Sequence, residues 1–248
     1  SPGRFDRTRG IIVASSGAHS SVSQAAHAMD VDVVLASTDG RGRIDGASVE
    51  RAIGSLGATD RERLFGVVAT GGTTNLGVVD DLSGVADVCE RHGVWFHVDG
   101  AYGLAALCAP SARSKFVGIE RADSFIVDPH KWLFAPYDSC ALVYRNIHDG
   151  RRAHTQHAEY LDVLHGGESE EGPWLEMNPA DVAHHLSRRA RGLPLWFSLA
   201  THGTKAYSDA VETTLSTARS AAASIAARPH LELLLNPDLS IVVFRRKG

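Results

Sequence analysis

At 248 residues and 44% hydrophobic, the chain is long enough to bury a full core and predicts one domain, or one and part of another. A net charge of −4 and a pI near 6.3 give no electrostatic footprint for a nucleic acid, and the Arg-rich patches are short, separated and read as solvated faces. No run approaches membrane-spanning length, so no membrane partner is expected.

Residues 1–6 show no apolar signal region. Residues 11–14 then predict a short buried strand, and Ser20 and Ser21 offer an N-cap for a helix over 22–29. Residues 31–36 predict a second strand and 39–42 a turn. Asp45 opens a helix that carries Val49, Ile53 and Leu56 on one face. A strand over 64–69 runs into a glycine-bracketed loop, 70–77, which contains Thr73 and Thr74. Residues 82–92 read as a helix, and 94–98, 125–127 and 141–144 as strands. Residues 148–176 have little periodicity and predict a long functional loop. Helices are expected over 181–189, 195–201 and the Ala-rich 205–227, which stops before Pro229. Strands at 231–235 and 241–244 would open a small second domain, so residues 1–227 and 228–248 are separated as two units.

Strands alternating with helices predict an α/β fold built on a mostly parallel sheet covered on both faces. Ligands in such sheets sit at the carboxyl ends of strands, where Asp99, Thr73, Thr74, His130 and Lys131 fall. Two of these ends carry chemistry. One apolar run stops on Asp99, and another stops on Asp128, Pro129, His130 and Lys131. An amine and a carboxylate delivered in this way suit a pyridine aldehyde cofactor. The lysine can hold the aldehyde as a Schiff base, and the aspartate can keep the ring nitrogen protonated. The ordinary readings of the same residues are a surface lysine and a helix-capping aspartate. Pro129 and His130 before the lysine, with Trp132, Leu133 and Phe134 after it, predict a lysine withdrawn from solvent.

Other candidates are weaker on their own. His19 lies at a strand-to-helix junction, where a capping or core role is the ordinary one. Gly71-Gly72-Thr73-Thr74 has neither the spacing nor the lysine of a Walker loop and could be a plain turn. Neither His184 with His185 nor His154 with His157 comes with a carboxylate or cysteine set at zinc spacing, so no metal is expected. Cys89, Cys108 and Cys140 show no paired spacing and read as buried thiols in a reducing, cytoplasmic compartment.

Pro129-His130-Lys131-Trp132 resembles the cofactor-lysine motif of the group II pyridoxal-phosphate decarboxylases. His97-Val98-Asp99-Gly100-Ala101-Tyr102 resembles the aspartate motif of that family, which acts on aromatic amino acids, glutamate, histidine and diaminobutyrate. The resemblance implies fold type I: a large domain with a mostly parallel seven-stranded sheet and a small C-terminal α+β domain only begun here. It implies a homodimer with the active site at the interface, and decarboxylation of an L-amino acid, aromatic ones leading. By resemblance Lys131 is the Schiff-base lysine and Asp99 the partner of the pyridine nitrogen. Ala101 lies against one ring face, and His19 stacks on the other and takes part in the reaction. His130 contacts the phosphate with Asp128 nearby, and Thr74 lies near the ring hydroxyl and substrate. Tyr160, in the long loop, returns a proton to the carbon that has lost carbon dioxide.

His19 together with Tyr160 favours simple decarboxylation over aldehyde-forming oxidation or amino transfer. The family's N-terminal arm and its small-residue phosphate turn have no counterpart in this sequence, and family segments are expected on both sides of it. A chain shortened in this way predicts weak cofactor binding. A non-catalytic binding or dimerisation remnant is the alternative from another class.

Overall fold

A computed structural model describes residues 9–154 and 179–248. Its centre is a sheet of strands β1 (Ile11–Ser15), β2 (Asp32–Ala36), β3 (Leu64–Thr70), β4 (Trp95–Asp99), β5 (Ser124–Val127) and β6 (Ala141–Tyr144). They lie in the order β2-β1-β3-β4-β5-β6, with every pair parallel except β5 and β6. The sheet therefore has six strands among the described residues, one fewer than expected. Val13, Val67, Phe96 and Val98 alternate onto one face and are buried there.

Helices α1 (Ser20–Ala28), α2 (Gly46–Gly54), α3 (Ala58–Glu62) and α4 (Leu82–His92) follow the strands. Val49 and Ile53 of α2 and Val85, Val88 and Cys89 of α4 pack into the same core as the buried sheet face. Asp45 and Ser48 form a reciprocal capping box at the start of α2. Gly93, left-handed at φ 63°, ends α4. The helix pair is tied at its far end by Glu50, whose carboxylate reaches Arg91 at 2.8 Å and His92 at 2.9 Å. Among the described residues the other sheet face is not covered as expected. Among the described residues α1 flanks it near β2, and a cavity opens between α1 and β3, β4 and β5.

Four local expectations are corrected. The cap of α1 is His19, whose Nδ1 accepts from Ser21 N at 3.2 Å, so the imidazole takes the place expected of a serine. Residues 147–154 are not loop but helix α5 (Ile147–His154). Asn146 Oδ1 accepts from His148 N, Asp149 lies in the first turn, and Arg151, Arg152 and His154 lie in the last, charges that suit the helix dipole. The helix expected over 181–189 is only a short 3-10 turn, Pro179–Val182. Downstream, Arg189 and Arg191 are drawn away to Asp138 at 3.0 and 3.1 Å. Of the cysteines Cys89 is buried, Cys108 half-buried and Cys140 exposed.

The break expected between the last two helices is Gly203, at φ 75° inside α6 (Leu193–Ala226). Strands β7 (Leu231–Leu235) and β8 (Val243–Arg246) form a separate antiparallel pair. The segment between them returns to the large sheet's core through Leu239, and Ser240 Oγ meets Tyr102 Oη at 2.5 Å. Among the described residues no helix is long and apolar enough to cross a membrane.

Candidate active site

Strand alternation decides which side chains reach the cavity. On β4, Phe96 and Val98 go to the core, which leaves Trp95, His97 and Asp99 on the opposite face. Asp99 is the last residue of the strand, and its Oδ1 accepts from Ala101 N at 3.1 Å. The next strand ends alongside. Asp128 N donates to Ala101 O at 3.0 Å, which stitches the two strand-end loops together. Lys131 N then closes a turn on Asp128 O at 2.9 Å. That turn brings Lys131 Nζ to 2.8 Å from Asp128 Oδ2.

Lys131 is not withdrawn from solvent. Its side chain is 43% exposed, because the turn sends it to the cavity while its apolar neighbour Trp132 goes the other way. Trp132 is buried, donates from Nε1 to Thr214 Oγ1 at 2.8 Å and stacks on Tyr102 with centroids 4.9 Å apart.

The cavity has a volume of about 530 Å³, and His19, Thr74, Asp99, Ala101, Asp128 and Lys131 are among the residues that line it. These come from four separate stretches of sequence. Thr73 and Thr74 part company here. Thr73 is buried, with Oγ1 accepting from Val78 N at 3.3 Å, whereas Thr74 is exposed to the cavity. His130 does not line it; its Nδ1 is turned to the backbone of Ser139, 2.5 Å from the carbonyl oxygen. Tyr160 lies outside the described residues.

Residues 7–247 match the family model described as the pyridoxal-dependent decarboxylase conserved domain. The chain belongs to the pyridoxal-dependent decarboxylase family. It is 35% identical over 187 residues to an aromatic-L-amino-acid decarboxylase of Bacillus atrophaeus, covering 75% of this chain and 38% of that one. Over 241 residues it is 30% identical to an acidic amino acid decarboxylase of Bos taurus, covering 94% of this chain and 44% of the other. The solved structure of Oryza sativa TDC with PLP and tryptamine superposes with a TM-score of 0.86 at 27% identity, over 97% of this chain and 49% of that one. The chain thus spans less than half the length of these relatives. The fold is that of the family's mostly parallel α/β domain, and the family's cofactor is pyridoxal phosphate.

This member of the family has further polar residues, in the cavity and behind it, that the two motifs leave without a role. His97 opens the aspartate motif, and as the position two before Asp99 on a strand it shares the face of Asp99 and lines the cavity. Its Nδ1 lies 2.8 Å from Ser124 Oγ, and Trp95 Nε1 donates to the same oxygen at 2.9 Å. Burial pushes the His97 pKa down, with the Asp99 charge opposing in part. Asp80, behind the loop that carries Thr74, accepts from Ile44 N and Thr70 N. Burial outweighs these two donors and raises its pKa to about 7.

Proposed function

We propose that this chain is the cofactor-holding part of an L-amino-acid decarboxylase that favours aromatic substrates. The observation that carries the reading is the single cavity in which Lys131, Asp99, Ala101 and His19 meet. Its volume suits a small aromatic ring, with an amine and a carboxylate on its wall. Pyridoxal phosphate, when bound, supplies an electron sink for the pair left behind as carbon dioxide departs.

The side chains divide the remaining work. Lys131 would hold the cofactor through its amine, which Asp128 keeps at the cavity wall. Asp99 keeps the proton on the ring nitrogen, using the oxygen that Ala101 N leaves free. The methyl side chain of Ala101 lets the ring approach closely. His19, fixed through Nδ1 as the cap of α1, keeps Nε2 for the opposite ring face and the departing carboxylate. Thr74 would offer its hydroxyl to the ring oxygen and Tyr160 would return the proton to carbon, while His130, its Nδ1 turned to Ser139, would serve the phosphate only through Nε2. The aromatic preference is supported by the lining. Lys131 is the sole lysine or arginine among the described cavity residues, and a second substrate carboxylate would need another cation. The proposal includes a homodimer. Leu193, Trp196 and Phe197, exposed at the start of α6, provide an apolar face for it. It also includes the division into a large domain, 1–227, and the start of a small one.

Absorbance with pyridoxal phosphate before and after borohydride, beside Lys131→Ala, tests the reading. The expected result is a visible band that borohydride fixes irreversibly and that the variant lacks. Carbon dioxide release is then compared for aromatic and acidic amino acids. Lysine-independent uptake, or none, would sink the enzyme reading; faster release from acidic substrates would sink the aromatic preference.

A further inference from the structure

We propose that His97 is a positioning residue, held by Ser124 as the Nε2–H tautomer and presenting that neutral N–H to the cavity beside Asp99, where it steadies the carboxylate that grips the ring nitrogen. The role rests on the cofactor reading above, but the tautomer follows from hydrogen-bond accounting alone.

Ser124 lies opposite His97 in the β4–β5 register and is buried. Among the described residues its hydroxyl has two partners, Trp95 Nε1 and His97 Nδ1. An indole N–H can only donate, so it occupies a lone pair of the serine oxygen. The serine's own proton then has one acceptor within reach, the Nδ1 of His97. An imidazole that accepts at Nδ1 carries its proton on Nε2. Burial favours the neutral ring.

Neutrality is what makes the arrangement useful. Asp99 and His97 share one face of β4, two residues apart, or about 7 Å along the strand. Asp99 Oδ1 already accepts from Ala101 N, and its other oxygen is left for the ring nitrogen. A cationic imidazolium here would compete with the protonated ring for that carboxylate. A neutral ring on the same face, near enough for the Asp99 charge to be felt at it, leaves that carboxylate to the ring nitrogen. Trp95, the outermost member of the chain of hydrogen bonds, fixes Ser124 and so fixes the tautomer.

The test uses the 248-residue chain labelled with ¹⁵N-histidine. Two-bond nitrogen–proton correlation near pH 7 reads the tautomer, with His97→Gln supplying the assignment. The expected pattern is a neutral ring protonated at Nε2, lost in favour of a tautomer mixture in Ser124→Ala. In parallel, binding of pyridoxine 5′-phosphate is followed by tryptophan fluorescence; this ligand has the ring nitrogen and no aldehyde, so Lys131 is not engaged. His97→Phe is expected to bind about tenfold more weakly, and His97→Gln, whose amide nitrogen can stand in for Nε2, within about threefold of the parent. A ring protonated at Nδ1, or charged at pH 7, overturns the proposal, as does equal binding by the parent and His97→Phe. An Nε2–H ring in a chain that takes up neither pyridoxine phosphate nor pyridoxal phosphate overturns the cofactor reading, and the positioning role with it.

Discussion

The carboxyl of Asp80 is 2% exposed, yet it sits between the N–H groups of Ile44 and Thr70 at 2.9 and 2.7 Å. Two such donors would ordinarily favour the charged form, but burial wins and the pKa rises to about 7 from 3.8. In the unfolded chain the same group ionises near 4. Between these values the folded state holds a proton that the unfolded state has lost, so stability falls as pH rises from about 4 to about 7 and is level above that. The loss over the window is about 4 kcal/mol. Carboxylates such as Asp39, Glu50 and Glu212 are shifted down instead, so their contributions are lost mainly below pH 4, whereas His97, with its pKa pushed down by burial, opposes the decline in part up to its unfolded value near 6.5. Urea midpoints measured from pH 4 to pH 8 are therefore expected to decline and then flatten, and Asp80→Asn should remove most of the slope. A flat profile in the unmodified chain would show that the two N–H donors dominate after all.

The α2–α4 pair shows how elements reach the positions that serve the site. A Cβ on Gly46, the first residue of α2, would stand 2.4 Å from the carbonyl oxygen of Gly84 on α4, where neither backbone can yield. Gly54, at the other end of α2, has open space around it. Gly46→Ala should then cost about 1–3 kcal/mol through overpacking. Gly54→Ala should be neutral or gain up to about 1 kcal/mol from helix propensity. Thermal melts of the two variants check the contrast, and equal melting temperatures would mean that the helices can slide apart. The apolar face of α2 was legible as Val49 and Ile53, because a helix writes its buried face into residue spacing. The Gly46–Gly84 contact was not legible, since closeness between two backbones leaves no pattern in either segment. The same divide runs through the site. Asp99 and Lys131 could be found because apolar strands deliver them to one sheet edge. The exposure of Lys131 depends on a turn closed by Asp128, and the cap at His19 on a ring nitrogen replacing a hydroxyl; local composition encodes neither. The helix at residues 147–154 was hidden for a related reason, as charge placement rather than an apolar stripe supports it.

At the scale of the whole molecule the two faces of the sheet are unequal. One is packed by α2, α4 and the 3-10 turns after β4, with Phe96, Phe116 and Val98 at its centre. The other presents Val68, Trp95 and Ile126 to the cavity, with Phe65 48% and Met29 62% exposed at its rim. Mostly parallel sheets ordinarily bury both faces, and an apolar surface of this kind binds an amphiphilic dye even when the fold is intact. The folded chain is therefore expected to enhance the fluorescence of anilinonaphthalene sulfonate, and to transfer energy to it from Trp95 in particular. Trp95→Phe should reduce that transfer more than Trp132→Phe, since Trp132 is buried against Tyr102 and Thr214 on the far side of the lysine turn. Replacing Phe65 and Met29 together with serine removes two apolar contacts at the rim and should weaken the dye by roughly tenfold, with little effect on the urea midpoint. Protein concentration separates two explanations of a null result. Dye bound in dilute solution and excluded in concentrated solution would mean that copies of the chain cover this face in one another. Dye excluded at every concentration would mean that the face is closed within a single chain, and the cavity assigned to the cofactor would then have to open before anything could enter it.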